Sequence, residues 1–291
     1  MEEFLVWQRP LAESSLFAQV RTDAEAIVKS CQEVPCSDGQ TRRILSAGSG
    51  PPLLFVPMVA EVNFVWAPQL SEFSQDYRVI LFEPLVSRTR TVTLEERAAE
   101  IRSVMDTLAI DWAHLVAWSD GGSAAYVFAR TWPQRCQSIV LIGLPDRYQF
   151  PFPVGQLFFL FRHLPIERLT PAAMIRPFLV RFLSGALARR SFVREHVRRV
   201  PRLGAFVKYN LLPCLLDHRP RQGEVDIPAL IICGDEDALL TSQQATRMGE
   251  LLPQCRGISI VPGGEHFLPY TSPQVVNRLL RGFLDSLEGV E

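Results

Sequence analysis

Lysine is nearly missing from this chain. Of its thirty basic residues only Lys29 and Lys208 are lysines, and the other twenty-eight are arginines. The net charge is −1, so global charge names neither a nucleic-acid nor a membrane partner. Long apolar runs are missing too. The longest such region, Phe150 to Phe161, is broken by Pro151 and Pro153 and does not span a bilayer. The first residues, Met1-Glu2-Glu3, are acidic, and the apolar piece Phe4 to Trp7 is too short for a secretory signal; the expected setting is the cytoplasm. Cysteine is sparse: Cys31, Cys36, Cys136, Cys214, Cys233 and Cys255 are scattered, as reduced thiols rather than a disulfide framework. No set of His, Cys and carboxylates has metal-ligand spacing, and no G-x-G-x-x-G or Walker loop appears. Neither a metal nor a cofactor is expected. Internal repeats and low-complexity segments are likewise missing.

What is there is enough chain, 291 residues at 47% hydrophobic and 21% charged, to bury a full core as one large domain. A helix is predicted over about 11–30, with Leu16, Val20, Ala24, Ile27 and Val28 on one face. Strand-like segments follow at 32–35 and 41–46, separated by the turn Ser37-Asp38-Gly39-Gln40. Strands and helices then alternate: strand 53–56, helix 64–74, strand 78–82, helix 94–108, strand 113–117, a helix to about 132, strand 138–142. Alternation stops after Pro145 and resumes with strand 229–233, helix 242–252, strand 257–261 and helix 273–287. This order predicts an α/β fold with a mainly parallel sheet covered by helices on both faces. The interruption reads as a helical cap over 147–222, leaving 1–146 and 223–291 as the core. In such sheets the site sits above the C-terminal strand ends.

The most informative stretch is HLVAWSDGG, residues 114–122. A serine between small residues two positions away, on a tight turn from strand to helix, is the pattern of a nucleophile elbow. Ala117 and Gly121 supply the small neighbours. The helix that follows points its free N–H groups at Ser119, and the Asp120 N–H is a candidate oxyanion donor. A serine hydroxyl needs a base to take its proton, and the base needs an acid to orient it. Two later strand ends carry such groups, Gly234-Asp235-Glu236-Asp237 and Pro262-Gly263-Gly264-Glu265-His266. The other histidines, His114, His163, His196 and His218, read as structural, exposed or bordering a pocket.

The segments GSGPPLLFVP, DYRVILF, HLVAWSDGG, IPALIICGDEDALL and PGGEHFLPYTSPQVVNRLLRGFL together resemble the α/β-hydrolase superfamily, over nearly the whole chain from Gln32 onward. The resemblance implies an α/β-hydrolase fold with a Ser-His-Asp catalytic triad: Ser119 as nucleophile, Asp237 as acid and His266 as base. Asp235 is the near alternative for the acid, and Asp146, beyond the strand after the elbow helix, a rarer one. The chain departs from the family twice. Pro57-Met58 stands where His-Gly is usual, so the second oxyanion donor falls to the Val59 N–H in a hole of altered shape. Glu83-Pro84-Leu85-Val86-Ser87-Arg88 replaces a glycine-rich loop.

From Arg147 to Arg221 thirteen arginines and Lys208 stand against Glu167, Glu195 and Asp217, an excess of eleven positive charges. Apolar residues among them, such as Phe158, Phe161 and Leu164, suit an acyl chain, and the basic rim suits an anionic handle such as a coenzyme A or carrier-protein thioester. An amphipathic cap touching membranes is the rival explanation, and no nucleic-acid fold signature is present. The expected function is a serine hydrolase, esterase or thioesterase, acting on a small-molecule ester or thioester with an apolar acyl group. The alternatives are an acyltransferase or cyclase using the same site, and a binding protein that keeps the fold without catalysis.

Overall fold

The computed structural model describes residues 13–59, 63–150, 152–164, 203–237 and 239–288. Most of the expected cap, including His196, lies outside the described residues, as does the start of the expected first helix. Eight strands form one sheet: β1 Gln32–Pro35, β2 Thr41–Ala47, β3 Pro52–Val56, β4 Arg78–Phe82, β5 Ala113–Trp118, β6 Cys136–Ile142, β7 Ala229–Gly234 and β8 Cys255–Val261. Their order is β1-β2-β4-β3-β5-β6-β7-β8. The pairs β1–β2 and β2–β4 are antiparallel, and all the others are parallel.

Why these strands read as unbroken apolar runs follows from the two faces of the sheet. Side chains alternate across a strand, and here both sides are dry. Leu54, Val56, Leu115, Ala117, Ile139 and Leu141 join a core with Ala98, Ile101 and Val104 of α3 (Leu94–Thr107) and Ala125 and Phe128 of α4 (Asp120–Thr131). Their strand neighbours Leu53, Phe55, Val116, Trp118, Val140 and Ile142 join a second core on the other face. It includes Ile27 of α1 (Glu13–Ser30), Leu70 and Phe73 of α2 (Ala67–Phe73), and Val276, Leu280 and Leu284 of a long C-terminal helix, Pro273–Glu288. At about 1.5–3 kcal/mol for each fully buried aliphatic or aromatic side chain, this double burial is what holds the sheet between its helices.

The helices start where local chemistry tells them to. Thr93 and Glu96 form a reciprocal capping box at the start of α3, and Thr241 and Gln244 do the same at Ser242–Glu250. The expected single helix over 64–74 is instead a 3-10 turn, Asn63–Trp66, that runs into α2 at Ala67; Pro68 near the α-helix start accounts for the break. Between β6 and β7 the described part of the insertion contains α5, Val154–His163. The chain then returns through α6 Leu203–Phe206, a π-helical turn Val207–Leu211 and α7 Leu212–Leu216. That return is tied down. Asn210, fully buried, accepts from the Ser87 N–H at 2.9 Å and donates to the Ser87 carbonyl at 2.8 Å, and the Val92 N–H donates to the Tyr209 carbonyl at 2.8 Å. The loop after β4, which the sequence marks as unusual, is therefore pinned to the insertion's last helical segment.

Candidate active site

Ser119 sits at the end of β5, with φ +52° and ψ −129°. A positive φ at a residue with a Cβ costs on the order of 1–3 kcal/mol and persists only where the surroundings impose it. Here the Ser119 N–H donates to the Ile142 carbonyl of the next strand at 2.9 Å, and α4 begins at the following residue. The turn also needs Gly121: a Cβ there would lie 2.9 Å from the Pro57 carbonyl oxygen and 3.0 Å from that of Val56. The small residue is thus demanded by the close approach of α4 to the end of β3. Because β4 and β5 lie on opposite sides of β3, Ser119 stands where the strand order reverses, the usual place for a site in such sheets.

The other two side chains come from beyond the ends of β7 and β8, on the far side of β6. His266, in the turn after β8, places Nε2 2.9 Å from Ser119 Oγ and Nδ1 2.8 Å from Asp237 Oδ2. Asp237, after β7, accepts on its other oxygen from the Leu239 N–H at 2.8 Å and the Leu240 N–H at 3.3 Å. All three residues are buried. A carboxylate with backbone donors on one oxygen holds the Nδ1 proton on the other, which leaves the Nε2 lone pair directed at the serine hydroxyl. The alternatives for the acid are engaged elsewhere. Asp235 accepts from the Gly263 N–H at 2.7 Å, and Asp146 forms an ion pair with Arg247 at 3.1 Å.

Several contributors carry no sequence signature. Trp118 donates its indole N–H to the His266 carbonyl at 2.7 Å, with the rings 5.4 Å apart. It fixes the histidine loop from below. Gly143, at φ +59°, leaves space beside the imidazole; a Cβ there would stand 3.3 Å from His266 Nδ1. Tyr148 brings its hydroxyl beside the Ser119 and Ser123 side chains, yet makes no properly formed hydrogen bond among the described residues. Burial pushes its pKa up. His218 is buried, not exposed, and shares a hydrogen bond of 2.9 Å with the Pro145 carbonyl. His114 is also buried, against Ser138 Oγ at 2.8 Å, while His163 is exposed beside Phe159.

The two backbone groups expected to receive the oxyanion have an unexpected neighbour. The Val59 N–H donates to Asp120 Oδ2 at 3.0 Å. The other oxygen, Oδ1, is buried with no hydrogen-bond partner among the described residues. Burial pushes the Asp120 pKa up to about 6, opposed by the Val59 N–H and by the positive charge of Arg97. Among the described residues no group of three or more His, Cys, Asp and Glu side chains is arranged to hold a metal ion. Nor is any helix among them long and apolar enough to cross a membrane.

The chain is similar to known proteins in sequence and in fold. Residues 47–279 match the alpha/beta hydrolase family. A 2-hydroxy-6-oxononadienedioate/2-hydroxy-6-oxononatrienedioate hydrolase of Klebsiella pneumoniae is 28% identical over 240 residues, covering 73% of this chain and 76% of its own. The 2-hydroxy-6-oxo-6-phenylhexa-2,4-dienoate hydrolase of Burkholderia cepacia is 26% identical over 225 residues, covering 72% and 77%. Among solved structures, an esterase from Thermogutta terrifontis superposes with a TM-score of 0.70 at 18% identity, over 88% of this chain and 98% of its own.

Proposed function

From the premise that the chain belongs to the alpha/beta hydrolase family and is an enzyme of it, we propose that it hydrolyses an ester or thioester with a sizeable apolar acyl group through a covalent acyl-enzyme on Ser119. The observation that carries this reading is the unbroken chain of hydrogen bonds from Ser119 through His266 to Asp237. Ser119 Oγ attacks the substrate carbonyl carbon while its proton passes to His266 Nε2. The imidazolium so formed is steadied by Asp237, and it returns the proton to the departing alcohol or thiol as the carbonyl re-forms. Water then adds to the acyl-serine with His266 again as base, releasing the acid and restoring the hydroxyl. Backbone N–H groups of Val59 and Asp120 meet the negative oxygen of each tetrahedral intermediate.

The apolar acyl side is supported by Met58, Phe158, Phe161, Phe206 and Leu211, which pack against the same core as Trp118 and Leu268. The segment 147–222 acts as a cap over the site in this reading, and its arginine excess favours an anionic handle such as a coenzyme A or carrier-protein thioester. A cytoplasmic setting, in which free thiols persist, belongs to it as well. A serine-reactive phosphonate tests the proposal. The wild-type protein gains one adduct by intact mass, mapped to Ser119, and Ser119→Ala gains none. A wild-type protein that stays unlabelled, or a label that survives in Ser119→Ala, sinks the acyl-enzyme.

A further inference from the structure

Asp120 follows the nucleophile directly and is 1% exposed, yet its carboxylate occupies the Val59 N–H, one of the two backbone donors that the acyl-enzyme reading reserves for substrate oxygen. A carboxylate oxygen there resembles the oxyanion it displaces: both are negative oxygens seeking the same N–H group. Unless Asp120 moves, one donor of the hole is taken by the protein itself. Oδ1 has no partner among the described residues, and a buried unpaired carboxylate oxygen is costly, so the observed position is not one the carboxylate is strongly held in.

Arg97 has donors to spare. Arg97, on the first turns of α3, is 4% exposed and uses only Nη1, which donates to the Leu85 carbonyl at 3.2 Å. Its Nε and Nη2 groups are buried with no hydrogen-bond partner among the described residues. Those two N–H groups form one side of the guanidinium fork, the side that matches both oxygens of a carboxylate. Arg97 stands on α3, which packs against α4 through Ala98, Ile101, Ala125 and Phe128, and α4 begins at Asp120; the guanidinium charge acts on the Asp120 carboxylate. Unpaired buried donors on one residue and an unpaired buried acceptor on its neighbour call for a single explanation.

We propose that Arg97 is a positioning residue for the reaction: when substrate enters, its vacant Nε–Nη2 fork takes the Asp120 carboxylate and so clears the Val59 N–H for the developing oxyanion. The inference rests on the acyl-enzyme reading and adds to it. No covalent step is involved; one carboxylate exchanges a backbone donor for a guanidinium. The swing costs little, because it trades one charge-assisted hydrogen bond for a bidentate pair.

A double-mutant cycle on the full chain tests this, with a p-nitrophenyl ester as substrate. Arg97→Met leaves Asp120 over the Val59 N–H. Losing one oxyanion donor costs about 10²–10³ in kcat, so kcat falls by about a hundredfold or more while KM changes little. Adding Asp120→Ala removes the obstructing carboxylate and returns kcat to within a few-fold of the Asp120→Ala single variant. A merely structural role for Arg97 gives no such suppression. If Arg97→Met does not fold, Arg97→Lys replaces it: a point charge without the fork gives a smaller loss that Asp120→Ala still suppresses. Losses that add, or an Arg97 variant with wild-type kcat, overturn the proposal. So does a suppressible loss in Tyr148→Phe with none at Arg97, which would put the displaced carboxylate at the tyrosine hydroxyl. A wild-type protein that turns over ester and takes the phosphonate on Ser119, but shows no coupling, refutes the switch alone. One that does neither refutes the acyl-enzyme beneath it.

Discussion

Asp237 and Asp235 are two residues apart at one strand end, and their surroundings separate them. Asp237 is buried with one oxygen on His266 Nδ1 and the other on two backbone N–H groups; Asp235 serves only the turn at Gly263. Asp237→Asn inverts the donor-acceptor match at Nδ1, leaving the imidazole in the wrong tautomer, a loss of about ten-thousand-fold in kcat in the serine-protease case. Asp235→Asn keeps an acceptor for Gly263 and changes kcat by less than about threefold. Ester turnover by the two variants checks the ranking, and equal losses would shift the acid elsewhere. Both carboxylates stand out in the sequence because they lie just beyond the apolar run 229–233, while the role given to Asp237 rests on the resemblance to the α/β-hydrolase superfamily. Trp118, Tyr148 and Arg97 are not legible. A tryptophan in a buried strand, a tyrosine after one and an arginine in a helix are ordinary residues until the fold shows what their polar atoms face.

Among the elements, the strands are the most readable part of the chain, since double-sided burial writes each as a continuous apolar run closed by a turn residue. Segments ruled by distant partners are less readable. The π-helical turn at Val207–Leu211 depends on what packs across from it, not on local propensity, whereas the 3-10 entry to α2 follows from Pro68. The π-helical turn carries Asn210, whose side chain satisfies both backbone groups of Ser87. Asn210→Leu leaves the two half-buried backbone groups of Ser87 without this partner, at up to about 1–3 kcal/mol each. Urea unfolding should show a loss on the order of 2–5 kcal/mol, and limited proteolysis a new cut within residues 83–92. An unchanged midpoint with no new cut would mean that the loop is held by other contacts.

For the whole molecule, two buried imidazoles set how stability responds to acid. Burial alone pushes His114 down to about 4; burial also leads for His218, again to about 4, with the Pro145 carbonyl opposing it. Unfolded histidines titrate near 6.5. Between pH ~6.5 and ~4 the unfolded chain therefore binds protons that the folded chain refuses, and stability falls as pH falls through that window. At about 1.4 kcal/mol per pH unit, each histidine removes on the order of 2–3 kcal/mol by the acid end. Asp120 works in the opposite direction: raised to about 6 by burial, it takes a proton in the folded state first and recovers part of the loss. Urea midpoints from pH 7 to 4.5 should decline, and His114→Gln should flatten the decline. A variant with the wild-type slope would exonerate that histidine.

The register of β5 through β8 has a further consequence. Ser119, Asp237 and His266 project from the ends of three strands in this four-strand block, aligned by pairs such as Ala117 with Leu141 and Gly234 with Val261. Slipping any one strand by a single residue would turn its contribution to the opposite side of the sheet. Only a correctly threaded molecule can then assemble the three groups, which makes the chemistry a census of the fold. The fraction of a preparation that accepts one equivalent of a serine-directed reagent counts the molecules whose strands are in register, including against misthreaded forms that scatter light and absorb like the native protein.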